Sequence, residues 1–262
     1  MNRIIGIIGG VALYMGVALP VLSAERAAIM AELFTSQGCS SCPAADAFLG
    51  DLAQRDDVVA LSYHVGYWDY TGWKDPFASA SNLSRQEAYQ RIFGEAYVYT
   101  PELVVDGMAD MSGNSRAAVL RTIAQAAIMP RVRVTVSRRD DGALVVSVGE
   151  GVSVGDDKVW LAAFDRMRKT PVARGENGGR TLINHNIVRT YRAIGSWQGQ
   201  PVDIVVPAAA WQTDSQVAGG YAAWVQPATL GRIKGAGMMT VDTAPGGVNP
   251  SRRDGDKSYI SR

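Results

Sequence analysis

Between residues 29 and 130, short apolar runs alternate with longer stretches whose apolar positions recur at helical spacing. Ile29 to Phe34 is such a run and predicts a strand, and Thr35-Ser36-Gln37-Gly38 follows as a loop. From Ala44 to Ala53, Phe48, Leu49, Leu52 and Ala53 share one helical face, so a helix is expected there. Val58 to Tyr63 suits a buried strand, His64 to Phe77 is an aromatic loop carrying Tyr67, Trp68, Tyr70 and Trp73, and Leu83 to Phe93 reads as a helix. Leu103 to Val105 and Met108 to Met111 are short strands about an Asp106-Gly107 turn. The alanine-rich stretch Ser112 to Met129 predicts a helix with Val119, Ile123 and Ala126 on its apolar face, closed by Pro130.

Beyond Pro130 the period shortens to two. Val132, Val134 and Val136 alternate with polar residues, Asp141-Gly142 marks a turn, and Ala143 to Val148 returns as the second arm of a hairpin. Lys158 to Phe164, Thr181 to Tyr191, Val202 to Val206 and Tyr221 to Gln226 are further strands with no long helix between them. This half predicts a small antiparallel β-sandwich over residues 131–242, after an α/β domain over 25–130, with a polar tail at 243–262.

The N-terminus obeys neither pattern. Arg3 precedes an apolar run from Ile4 to Leu22 that contains four glycines and Pro20, and Ala24 precedes the charged Glu25-Arg26. Residues 1–24 read as a secretory signal peptide, with a membrane anchor of similar length as the competing reading. Cleavage after Ala24 implies a periplasmic or secreted protein with no stable membrane insertion. It also leaves 25 basic and 25 acidic side chains, and that balance points away from a nucleic-acid partner.

Two cysteines remain, Cys39 and Cys42, in an oxidising compartment. Their C-x-x-C spacing at the head of the first predicted helix suits redox chemistry, because unpaired N–H groups and the helix dipole favour a thiolate there. Pro43 fits a first-turn position, where no intrahelical N–H bond is lost. A structural staple is the competing reading. On the chain-entropy model so short a loop gives about 2 kcal/mol, against about 3 kcal/mol for a 15-residue loop. Thr100-Pro101 stands just ahead of the Leu103 to Val105 strand, where a missing N–H is tolerated. From the residues alone an ordinary trans bond fits that place.

The order Ile29 to Phe34, Cys39-Ser40-Ser41-Cys42-Pro43, Val58 to Tyr63 and Thr100-Pro101 resembles a thioredoxin-like fold with an insertion after its second strand. More closely, Glu32 to Pro43, Tyr97-Val98-Tyr99-Thr100-Pro101, Gly175-Glu176-Asn177 and Asn186-Ile187-Val188-Arg189 resemble an exported bacterial family catalogued as domain of unknown function 1223. The likeness to thioredoxins implies a cis-proline at Pro101 facing the cysteines, and a buried acid beneath them, for which Glu32 is the candidate. The Trp that thioredoxins carry before the first cysteine, and the Gly-Pro between the two, are both missing. The direction of electron flow therefore stays open.

Three functions fit. One is a thiol-disulfide oxidoreductase using Cys39 and Cys42, supported by Glu32, Thr100 and Pro101, exchanging with exported thiol or disulfide proteins and a separate redox partner, with no cofactor. Another is a copper(I) carrier using the same thiolates, with His64 as third ligand. The third is a non-enzymatic binding protein with a structural CxxC disulfide. In the second half, the Gly175 to Gly179 turn presents Glu176 and Asn177, and Asn184, His185 and Asn186 follow on the next strand. With no nucleophile or phosphate-loop pattern, this half is expected to bind or dock.

Overall fold

The computed structural model describes residues 27–211 and 219–241. The expected signal peptide and polar tail lie outside the described residues. Strand β1 (Ile29–Thr35) runs parallel to β2 (Val58–His64), and every residue of both is buried, as their apolar runs require. On its other side β1 pairs antiparallel with β3 (Glu102–Val105), and β4 (Ala109–Ser112) closes that edge.

Strand alternation sends successive side chains of β1 into different cores. Ile29, Ala31 and Leu33 pack with Phe48 and Leu49 of α1 (Cys42–Leu52) and with Val119 and Ile123 of α3 (Arg116–Ala127). Met30 and Phe34 face the opposite side, with Tyr89 of α2 (Ala80–Phe93). The Ser79 hydroxyl caps α2 by accepting the Asn82 N–H at 3.2 Å, and Gly94, at φ 73°, ends it in the left-handed region. Besides Tyr89, α2 buries the polar Asn82, Arg85 and Gln86.

The second half corrects the expectation of a separate sandwich. β5 (Val134–Arg138), β6 (Leu144–Val148) and β9 (Val202–Val206) do form a small antiparallel sheet. The strands β7 (Asp157–Pro171), β8 (Thr181–Trp197), β10 (Gly220–Pro227) and β11 (Gly235–Thr240) instead continue the first sheet. Among the described residues that sheet has eight strands, in the order β11-β10-β7-β8-β2-β1-β3-β4. β8 joins β2 in parallel at Ser62 and Ile187, and a hydrogen-bonded ladder thus crosses the expected boundary at residue 130. The small sheet packs on Val159, Leu161 and Ala163 of β7 and on Ala223 and Val225 of β10. One wall of the expected sandwich is therefore the extended sheet itself. β7 and β8 also outrun their predicted apolar cores, and the ends of this hairpin reach over the start of α1.

Candidate functional site

The loop after β1 turns into α1 at Cys42, with Ser41 as N-cap and Pro43 in the first turn. Cys39 and Cys42 are joined as a disulfide with their Cα atoms 5.5 Å apart. Both are buried, whereas Ser40 and Ser41 between them are exposed. The Cys39 sulfur lies 3.3 Å from Ser41 Oγ and 3.9 Å from the Thr100 carbonyl oxygen. The Thr100–Pro101 bond is cis, so Thr100 and Pro101 border the disulfide at the start of β3. Trp68 in the aromatic loop donates its indole N–H to Thr100 Oγ1 at 2.7 Å. Gly38 is needed beneath that loop, because a Cβ there would come within 2.9 Å of Trp68 Cβ. The aromatics divide their roles: Tyr67 packs on the α2 core, while Trp68 stacks on Tyr70, which is 81% exposed.

The opposite border comes from the β7–β8 hairpin. Asn177, fully buried at its tip, donates its amide to the carbonyls of Gln37 at 3.0 Å and Cys39 at 2.9 Å. Glu176 accepts the Ser40 N–H at 3.0 Å. Buried Gln37 donates to Asn184 Oδ1 at 2.9 Å and to Thr170 Oγ1 at 3.0 Å, and accepts from the Trp73 indole at 3.1 Å. The loop is thereby held in a frame of side chains from both halves of the chain.

Under the disulfide, on the α1 side of the sheet, lies a buried polar cluster. Asp46 follows Cys42 by four residues, one helical turn along the same face, and is buried. Burial pushes its carboxyl up to about 6, with His64 and Thr35 pulling it back. His64 is fully buried, and its Nδ1 lies 2.7 Å from Asp75 Oδ2. Burial alone would lower the imidazole, but Asp75 and Asp46 outweigh it and hold it above its ordinary value. Asp75 is itself brought below the usual carboxylate range: burial works against this, and His64 with the N–H groups of Gln37 and Phe77 overcomes it. Asp46 Oδ1, Thr35 Oγ1, His64 Nε2 and Asn184 Nδ2 are buried here without a well-aligned hydrogen bond, although Thr35 and Asn184 face the Asp46 carboxyl closely enough to lower its pKa. Buried polar groups so poorly paired are expensive, which makes this cluster a candidate for a functional site.

Two expected roles move. Glu32 does not lie beneath the cysteines, because strand parity puts it with Met30 and Phe34 on the α2 side. There Arg85 donates to it at 2.6 and 3.1 Å and Tyr89 at 2.6 Å. His64 is engaged by Asp75, and among the described residues no three His, Cys, Asp or Glu side chains converge as a metal-ligand group. The residue that does sit below Cys42 is Asp46. Its spacing of four from Cys42 and three from Leu49, on the apolar stripe of α1, was the available signal. Glu102, next to Pro101, was also missed: it is buried against Gln86, and burial pushes its carboxyl up to about 8.

Comparison with known proteins places the chain in a family. A model described as "Protein of unknown function (DUF1223)" matches residues 30–226, and the chain belongs to that family. The crystal structure of protein AGR_C_4864 from Agrobacterium tumefaciens is similar, with 31% identity, coverage of 82% of this chain and 96% of that one, and a TM-score of 0.71. HBP35 of Porphyromonas gingivalis shares the fold at 11% identity, with 90% of this chain and 82% of that one covered and a TM-score of 0.56. No protein of the curated set matches. The CxxC follows β1 as it does in thioredoxin-like folds.

Proposed function

We propose that this member of the family is an exported thiol-disulfide exchange protein whose working couple is Cys39–Cys42. The observation that carries the reading is the joint placement of three elements. The disulfide stands at the head of α1, the cis Thr100–Pro101 segment borders Cys39, and buried Asp46 sits one turn below Cys42. A stapling disulfide has no need of a buried acid with a pKa near neutrality beneath it.

In the reduced protein the Cys39 thiolate attacks a partner disulfide. A Cys39–partner S–S bond forms, the partner's own S–S bond breaks, and one partner sulfur leaves as a thiolate. Cys42 then gives its proton to the Asp46 carboxylate and attacks the Cys39 sulfur. The Cys39–Cys42 bond forms, the mixed disulfide breaks, and the second partner sulfur departs. Two electrons have passed to the partner; run backwards, the same steps oxidise a partner dithiol. Helix-start N–H groups favour the attacking thiolate, and Asp46 serves the resolving one. Because both cysteines are buried, exchange proceeds from an opened form of the 38–42 loop.

The test is capture. Cys42→Ser, expressed with its own export signal, is expected to accumulate mixed disulfides that disappear on reduction and in the Cys39→Ser/Cys42→Ser double variant. Absence of any Cys39-dependent adduct, together with a wild-type disulfide that does not equilibrate with thiol buffers, would reject exchange.

A further inference from the structure

The carboxylate of Glu176 is the one charged group of the β7–β8 hairpin tip that bonds directly to the CxxC loop. It accepts the backbone N–H of Ser40, the residue next to Cys39. Asn177 beside it fixes the hairpin by holding the Gln37 and Cys39 carbonyls, and the Arg180 guanidinium is bonded to Asn177 Oδ1 at 2.8 Å. Among the described residues no lysine or arginine forms an ion pair with Glu176. A carboxylate with no ion-pair partner among the described residues therefore stands one residue from the attacking sulfur, on an N–H of the turn that leads into α1.

We propose that Glu176 is a positioning residue that sets the redox poise of the Cys39–Cys42 couple, holding it toward the disulfide and Cys39 toward the protonated thiol. This rests on reading the pair as an exchange couple. The physical reason is that the disulfide is neutral and the reduced form carries the thiolate. A neighbouring carboxylate raises the free energy of that thiolate without touching the disulfide. By accepting the Ser40 N–H, Glu176 also removes a donor dipole that would otherwise be free to stabilise charge on Cys39. Ser40, through its hydroxyl and its N–H, in turn holds the Glu176 carboxyl below its ordinary range, so the charge persists into mildly acidic solution. On this reading the β-rich half acts on the chemistry of the first half through the charge of Glu176.

The equilibrium concerned is that between the Cys39–Cys42 disulfide with two glutathione thiols and the protein dithiol with glutathione disulfide. Two electrons and two protons move from glutathione to the protein. The experiment uses the purified mature chain as wild type, Glu176→Gln and Glu176→Lys, titrated in glutathione or dithiothreitol buffers at pH 8. The Cys39 thiolate is followed by its ultraviolet absorbance against pH. Glu176→Gln should raise the acid dissociation constant of Cys39 about threefold and shift the redox constant toward the dithiol by up to that factor, reached as the pH rises through the Cys39 titration, with Glu176→Lys further in the same direction. Both effects should shrink in 1 M salt, where the screening length falls to about 3 Å. Because Glu176 is exposed, both variants should keep the wild-type unfolding midpoint. Constants that are equal in all three proteins, or that shift without salt dependence, overturn the inference. A wild-type disulfide that fails to equilibrate with either buffer overturns the exchange reading instead.

Discussion

Replacing Asp46 with Asn keeps the shape of the side chain and removes the ionisable group from beneath Cys42. Burial lifts this carboxyl from 3.8 to about 6, while His64 and Thr35 pull it down and Asp75 pushes it up. An acid whose folded pKa lies above its unfolded one binds its proton more tightly in the native state. It therefore destabilises the fold progressively as pH rises from 3.8 to about 6, and by a constant amount above that. At 1.36 kcal/mol per pH unit the penalty is about 3 kcal/mol at neutral pH. Asp46→Asn should thus be more stable than wild type by up to about 3 kcal/mol at pH 7.5, or roughly 6–12 °C in Tm for a chain of this size. The advantage should vanish at pH 3.5. Urea unfolding at the two pH values measures this directly. The same variant should resolve mixed disulfides about 100-fold more slowly, since Cys42 loses its proton acceptor. A stability difference that is the same at both pH values, or resolution at the wild-type rate, would refute the role given to Asp46.

Arg85→Met leaves the Glu32 carboxylate buried without its partner, and urea unfolding should register a loss of about 3–5 kcal/mol. The glutathione equilibrium constant should stay at the wild-type value, because this pair lies across the sheet from the disulfide. Asn177→Ala removes both amide bonds to the loop, each contributing about 1 kcal/mol. The 38–42 loop should then open more often, and reduction of the disulfide by dithiothreitol, followed by stopped-flow fluorescence, should speed up by about 10- to 100-fold.

The strand, loop and helix carrying Cys39 and Cys42 were legible because period and punctuation agree there. Val58 to Tyr63 and Leu103 to Val105 were legible for the same reason. The misplacement of Glu32 has a simple cause. Both faces of β1 are apolar, with Ile29, Ala31 and Leu33 on one and Met30 and Phe34 on the other, and nothing in that run says which face α1 covers. Asp46 was readable in principle, as an acid within a helical stripe, but a lone acid in a helix ordinarily points to solvent. The strands after Pro130 were recognised, yet alternation identifies a strand and not its neighbour. The pairing of Ser62 with Ile187 depends on the whole sheet. β7 and β8 run past their apolar cores through polar residues such as Arg168 and Lys169. Their use as an arm over the CxxC loop therefore left no hydrophobic trace. Glu176 and Asn177 could be seen at the tip of a turn; what they grip could not.

The β2–β8 junction bears on how the chain is made. Ser62 leaves the ribosome about 125 residues before its ladder partner Ile187. At about 5–20 residues per second this interval lasts roughly 6–25 s. During that time the edge of β2 that β8 will occupy is bare on a strand whose every residue is buried in the folded protein, the kind of surface that recruits foreign strands. A fragment ending near residue 130 would keep that edge open permanently, and would leave the Gln37 and Cys39 carbonyls without Asn177. Cutting this protein at its sequence boundary should therefore yield an aggregation-prone fragment in place of an independent domain.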